Sequence, residues 1–233
     1  IAPDDSDHIV EIGPGEGALT QALISGECRL DAIELDRDLR TRLLAAFSTY
    51  SGFTLHSADA LDFDFASLAT AGTRLRVVGN LPYNISTPLI FKLLEQAQII
   101  TDMHFMLQLE VVERLAASPG SKDWGRLGVM AQFRCEVEQL FEVSPEAFYP
   151  PPKVRSAVVR LTPHPEPPFP NVDPTSLARV VTQAFSQRRK TLRNNFKGTM
   201  EDSDFGGLEI DPSARAETLS IADFVAIAAH LQG

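Results

Sequence analysis

The chain has 233 residues and a formal net charge of −10, from 21 lysines and arginines against 31 aspartates and glutamates. A hydrophobic fraction of 44% supplies one sizeable core with room for a small appended unit, and it excludes wholesale disorder. No apolar run reaches about 18 residues, so no membrane helix is expected. The acidic balance argues at first against a nucleic-acid partner, because binding phosphates favours positive charge.

The first half alternates short apolar runs with helical patterns. His8–Gly13 reads as a strand ending in glycine, Ala18–Ile24 as a helix, Arg29–Glu34 as a strand and Asp38–Phe47 as a helix. Phe53–Ser57 and Leu75–Val78 read as strands, Leu89–Ala97 as a helix and His104–Leu109 as a strand. Such βα alternation predicts an α/β fold, a mostly parallel sheet covered by helices on both faces. Val129–Val143 and Val154–Leu161 are rich in β-formers and read as an antiparallel pair closing one sheet edge. Residues 163–174 hold six prolines and read as a stiff linker. Leu177–Phe185, Thr191–Phe196 and Ile221–Leu231 follow as helices. The expected organisation is a domain at 1–162, a linker at 163–174 and a small helical domain at 175–233.

Only Cys28 and Cys135 occur, which excludes a disulfide framework or a cysteine-rich zinc site and fits a reducing, cytoplasmic setting. The five histidines show no metal-ligand spacing, so no metal is expected. The phosphate-loop and nucleophile-elbow patterns are absent.

Four positions fall at the carboxyl ends of predicted strands, where open α/β sheets bind ligands. Gly13-Pro14-Gly15-Glu16-Gly17 is a glycine turn between a strand and a helix, spaced G-x-G-x-G rather than as the dinucleotide fingerprint. Glu34 ends the second strand, where a carboxylate can accept both ribose hydroxyls of an adenosine moiety. Asp59 follows the third strand and could accept from an adenine amino group. Asn80-Leu81-Pro82-Tyr83 follows the fourth. An exocyclic adenine amine is a poor nucleophile because its lone pair is delocalised into the ring. The Asn80 side-chain oxygen and the Leu81 carbonyl could accept its hydrogens and localise the pair, with Pro82 stiffening the turn and Tyr83 offering a stacking face. Phe148, in Phe148-Tyr149-Pro150-Pro151-Pro152-Lys153, could stack on the other face of the base.

Charge is distributed unevenly. Residues 1–165 carry 14 basic and 22 acidic side chains, whereas residues 174–200 carry six basic residues and no acid. On a helix, Arg189, Lys190 and Arg193 would share a face able to track a phosphate backbone. Arg188 and Lys153 join them as RNA-facing candidates.

Taken in order, these segments closely resemble the small-subunit ribosomal RNA adenine N6,N6-dimethyltransferase family. The matching stretches are VEIGPGEGALT at 10–20, IELD at 33–36, ADAL at 58–61 and GNLPYNIST at 79–87. They continue with WGRLGVMAQF at 124–133, LFEVSPEAFYPPPKVRSAVVRL at 140–161 and FSQRRKTLRNNF at 185–196. The resemblance implies a class I methyltransferase: a Rossmann-like sheet with an antiparallel final strand, then a small helical domain. It implies transfer of two methyl groups from S-adenosylmethionine, leaving S-adenosylhomocysteine, to each of two adjacent adenosines near the 3′ end of small-subunit ribosomal RNA. It places the cofactor against Glu11, Gly13, Gly15, Glu34, Asp59, Ala60 and Asn80, and the target adenine among Asn80, Leu81, Pro82, Tyr83 and Phe148. The expected partner is the small ribosomal subunit, met by a monomer away from membranes. Family members carry a glycine-plus-aromatic motif before the first strand, so this chain reads as N-terminally shortened.

Two enzymatic alternatives and one non-enzymatic one fit less well. Large-subunit adenine dimethyltransferases of the antibiotic-resistance type are strongly basic and lack the QRRKTLRNN-type tail. A non-enzymatic RNA-binding assembly factor would show erosion of the glycine turn or of NLPY, and both are intact. A nicotinamide oxidoreductase is disfavoured by the glycine spacing.

Overall fold

The computed structural model describes residues 1–70, 72–148 and 153–232. Its elements, in chain order, are β1 (His8–Ile12), α1 (Ala18–Ile24), β2 (Arg29–Glu34), α2 (Arg37–Phe47), β3 (Phe53–Ser57), β4 (Leu75–Asn80) and α3 (Ser86–Glu95). Then come β5 (Ile100–Gln108), α4 (Leu109–Leu115), α5 (Arg126–Arg134), β6 (Cys135–Val143), β7 (Ser156–Pro163), α6 (Pro174–Ala184), α7 (Leu192–Asn195), α8 (Asp202–Gly207) and α9 (Ile221–His230).

One compact unit comprises residues 1–112 and 136–163. Its seven strands form one sheet in the order β3-β2-β1-β4-β5-β7-β6. The first five run parallel, and β7 is antiparallel to β5, pairing Gln108 with Ser156 and Met103 with Leu161. A mostly parallel sheet with an antiparallel last strand is what the sequence predicts. β1 is buried along its whole length, as a central strand covered on both faces must be. Helix α2 starts where Asp36 accepts from the backbone N–H groups of Asp38 and Leu39, and it buries Leu43 and Phe47 one turn apart.

On the edge strand, Glu138 pairs with Arg160 and Glu142 with Arg155. The partners run in opposite senses along the chain, so β6 and β7 form an antiparallel hairpin. Deeper in the sheet, Asp31 is buried between His8 and His56, each 2.6 Å away. Burial alone would raise its carboxyl pKa, but hydrogen bonds from both imidazoles outweigh that effect and hold it below the usual range.

The second compact unit comprises residues 113–135 and 164–233. Asp173 caps α6 ahead of Pro174, and the helix buries Leu177, Val180, Val181 and Ala184 along one stripe. Ser220 and Asp223 form a capping box at the start of α9. Trp124 is 1% exposed and donates its indole N–H to the Leu219 carbonyl at 2.9 Å.

Three expectations differ from this arrangement. Residues 129–134 are the second half of α5 rather than strand; an unbroken apolar run does not distinguish a buried helix from a strand. Residues 113–135 cluster with the C-terminal helices instead of the sheet. The proline-rich stretch clusters there too: its Phe169 stacks on Phe133 with centroids 6.1 Å apart. Neither grouping is visible locally, because the partners lie far apart in sequence.

Candidate functional site

The strand order reverses between β1 and β4, which are neighbours in the sheet while their outgoing connections lead to opposite sides. A crevice forms at such a point beyond the carboxyl ends of the strands. A Cβ at Gly79 would sit 2.6 Å from the Ile12 carbonyl, so the β4 end runs close against the β1 end. The turn after β1 places Gly13 and Gly15 in the left-handed region, with φ of 65° and 58°. A Cβ added at either would meet nothing within 4 Å, so the backbone faces open space there.

Register shows which side chains share a face. Glu11 pairs with Ala32 and Val78, and Glu34 pairs with Ser57. Because alternate residues of a strand point the same way, Glu11, Glu34, Ser57 and Asn80 lie on one side of the sheet. Glu34 is 8% exposed and accepts from the Asp36 backbone N–H through Oε1 at 2.9 Å, which fixes its rotamer. Asp59 Oδ1 accepts from the Leu61 N–H at 2.8 Å, and Ala60 is buried beside it.

Glu11 lies beneath the turn rather than on its surface. It is 1% exposed, and the Thr20 hydroxyl donates to it at 2.6 Å. Burial pushes the Glu11 carboxyl up to about 7, against the opposing effect of the Thr20 hydrogen bond. The pair fastens α1 to β1 across the glycine turn.

Asn80 is exposed at the end of β4, and its amide makes no hydrogen bond among the described residues. Leu81 is anchored by its side chain, which is 1% exposed, and by its N–H, which donates to the Met106 carbonyl at 3.3 Å. Its own carbonyl accepts nothing from the described residues. The turn after Pro82 closes through the Ile85 N–H, and the Ser86 hydroxyl donates to the Tyr83 carbonyl. Tyr83 is 41% exposed, and its hydroxyl lies 3.3 Å from Ser156 Oγ.

Strand direction accounts for Phe148. β5 ends at the carboxyl edge, β7 starts there because it is antiparallel, and β6 ends there because it opposes β7. Phe148, half-buried in the β6–β7 connection, therefore lies at the same edge as Asn80 and Tyr83. Among the described residues, no ring contact joins Tyr83 to Phe148. Lys153 is exposed near the start of β7, and Tyr149–Pro152 lie outside the described residues.

The basic segment of the second unit differs from its sequence reading. Arg188, Arg189 and Lys190 sit in turns after α6, and only Arg193 is helical, so they share no helix face. Arg193 is bound through two nitrogens to Asp202, at 2.7 and 2.5 Å. Arg188 donates to the Lys122 carbonyl and pairs with Glu217 at 3.5 Å. Arg189, Lys190 and Lys197 are exposed and unpaired among the described residues. The run lacks nearby acids only along the chain; Glu217 and Asp202 reach it by folding.

Three contributors carry no local signal: Thr20 under the glycine turn, Ser156 beside Tyr83, and Lys92. Lys92, on α3, donates to the Leu61 carbonyl at 2.6 Å, tying the Asp59 loop to the helix that follows the Asn80 turn. Among the described residues no cluster of three or more histidine, cysteine or acidic side chains could hold a metal ion. No helix among them is long and apolar enough to cross a membrane.

A family model described as ribosomal RNA adenine dimethylase matches residues 1–233. The chain belongs to that family. Among adenine dimethylase relatives, it is 60% identical over 227 residues to a protein named ribosomal RNA small subunit methyltransferase A from Pseudomonas aeruginosa, covering 97% of this chain and 85% of that protein. A protein of the same name from Saccharophagus degradans is 58% identical over 225 residues, covering 97% and 84%. Among solved structures, a dimethyladenosine transferase from Plasmodium falciparum superposes with a TM-score of 0.80 at 25% identity, over 97% of this chain and 90% of that one. The 23S rRNA methyltransferase ErmE shares the fold, with a TM-score of 0.74 at 23% identity over 100% of this chain and 94% of that one.

Proposed function

We propose that this chain dimethylates N6 of two adjacent adenosines near the 3′ end of small-subunit ribosomal RNA during ribosome biogenesis, as a monomer using S-adenosylmethionine. The observation that carries this reading is one sheet edge holding both an open glycine turn beside Glu34 and an Asn80-Leu81 turn whose acceptors are unspent. The residues present fit the donor molecule. Gly13 and Gly15 leave room for close approach, Glu34 has a second oxygen for a ribose diol, and Asp59 and Ala60 border the adenine side.

When bound, S-adenosylmethionine supplies a methyl group on a positively charged sulfur. The Asn80 oxygen and the Leu81 carbonyl accept from the target amine, localise its lone pair and stabilise the positive charge that grows on nitrogen. Tyr83 and Phe148, at the same edge, hold the base by its faces, so the protein contributes chiefly alignment. Arg189 and Lys190 are the best-placed RNA contacts of the basic segment, with Lys153 a third at the β6–β7 connection. Arg188 and Arg193 brace the second unit.

The large-subunit reading is not favoured. Incubation with purified undermethylated small and large subunits, followed by mass-spectrometric mapping, tests the choice. Dimethyladenosine at two adjacent positions near the small-subunit RNA 3′ end is expected. Modification confined to large-subunit RNA would overturn the proposal.

A further inference from the structure

Helix α2 lays Arg37, Arg40, Thr41 and Leu44 along one stripe, at the i, i+3, i+4, i+7 spacing of a single face. Opposite them stand Leu55 and Ser57 of β3, two residues apart and so on the same side of the sheet. Together they line a cavity of about 220 Å³. Ser57 pairs in register with Glu34, so the cavity lies one strand beyond the acid at the end of β2.

The charge in this cavity is unusual for its surroundings. Elsewhere in the sheet unit, arginines are engaged: Arg29 with Asp31, Arg42 with Glu16, Arg76 with Asp7 and Asp102, and Arg74 with backbone carbonyls. Arg37 and Arg40 make no side-chain hydrogen bond or ion pair among the described residues. The Nε of Arg40 is buried and unpartnered. The adjacent carboxylate of Asp36 is committed to the backbone N–H groups of Asp38 and Leu39, although it feels the Arg40 charge. A buried N–H donor without an acceptor costs stability unless a ligand satisfies it.

We propose that this cavity is a phosphate subsite, with the Arg37 and Arg40 guanidiniums as the charged clamp and the Ser57 hydroxyl as a supporting donor, while the Thr41 hydroxyl donates to the Arg37 carbonyl at 3.0 Å and steadies the helix turn that carries the clamp. Guanidinium groups match phosphate oxygens in forked geometry, and a hydroxyl completes the shell. Two sources share this chemistry: a backbone phosphate of the RNA substrate, and a free phosphate or phosphorylated metabolite. The RNA source rests on the function proposed above; the phosphate chemistry does not.

The test uses the full chain with 15N-labelled arginine, titrated with inorganic phosphate at constant ionic strength against a chloride control. Saturable shifts of the Arg37 and Arg40 Nε–H signals are expected, with the Arg37 response reduced at least several-fold in Arg40→Gln. Shifts no larger than with chloride, or an Arg37 response unchanged in Arg40→Gln, would overturn the subsite. S-adenosylhomocysteine affinity, unchanged between the proteins, shows that the variant is folded. In a second arm, the Arg37→Gln/Arg40→Gln variant is compared with the parent for binding to small-subunit precursors across salt concentrations. A salt slope shallower by about one assigns the phosphate to the RNA backbone. An unchanged slope alongside saturable phosphate binding assigns it to the small molecule. Failure of the chain to methylate any RNA would leave the phosphate titration to stand or fall by itself.

Discussion

At the end of β4 the Asn80 amide is left without a partner, whereas Arg193 in α7 is gripped by both oxygens of Asp202. The sheet edge spends the Leu81 N–H and its buried side chain on structure and leaves two acceptors open among the described residues, the Asn80 amide oxygen and the Leu81 carbonyl. The segment after α6 does the reverse, spending the side chains of Arg188 and Arg193 on structure. The contrast teaches that a polar group's availability is decided by what folding leaves unsatisfied. Abundance along the chain is a poor guide to it.

The sharpest way to break this comparison is Asn80→Ala. Methyl transfer to small subunits should fall by about 10²–10³ in kcat, the scale of one lost transition-state hydrogen bond. S-adenosylhomocysteine binding, measured calorimetrically, should stay within a few-fold. Near-normal turnover would show that the open amide is idle.

Next in size is a pH effect beneath the glycine turn. The Glu11 carboxyl is raised from 4.5 to about 7 in the folded chain. Between those values the folded state holds a proton that the unfolded state has released. Stability therefore falls as pH rises through this window and levels off above it, by about 3 kcal/mol. Glu11→Gln stays neutral, so its unfolding midpoint relative to the parent should climb from pH 5 to pH 7.5. Parallel midpoint curves for the two proteins would refute the assignment.

The smallest effects separate free from engaged cations. Arg189→Gln/Lys190→Gln should weaken binding to small-subunit precursors several-fold and flatten the salt dependence by about two. Arg193→Gln should leave that slope unchanged while lowering the thermal midpoint slightly. Equal slopes for both variants would erase the distinction drawn here.

The strand-end positions were legible from sequence because each depends on a short local pattern. A glycine turn after a buried strand, an acid ending the next strand and Asn-Leu-Pro-Tyr after the fourth need no distant information to be placed at one edge. Thr20, Lys92 and Ser156 were not legible, because each acts on a partner fixed only by tertiary structure. The same reason hid the pairing of Asp202 and Glu217 with the basic run and the clustering of residues 113–135 with the C-terminal helices. Residues 129–134 failed differently: a continuous apolar stretch suits either a helix or a strand, and burial inside the helical unit selected the helix.

The reversal of β7 sets the Phe148 hairpin apart from the rest of the sheet edge. The hairpin that carries Phe148 hangs from the last two strands of the sheet, separated from the glycine turn by β4 and β5. Insertions or substitutions at its tip leave the register of the first five strands intact, since loop changes propagate poorly through a paired sheet. The tip of the hairpin can therefore change without disturbing the glycine turn after β1. The two ion pairs across the hairpin, Glu138–Arg160 and Glu142–Arg155, hold its strands together beneath that variable tip.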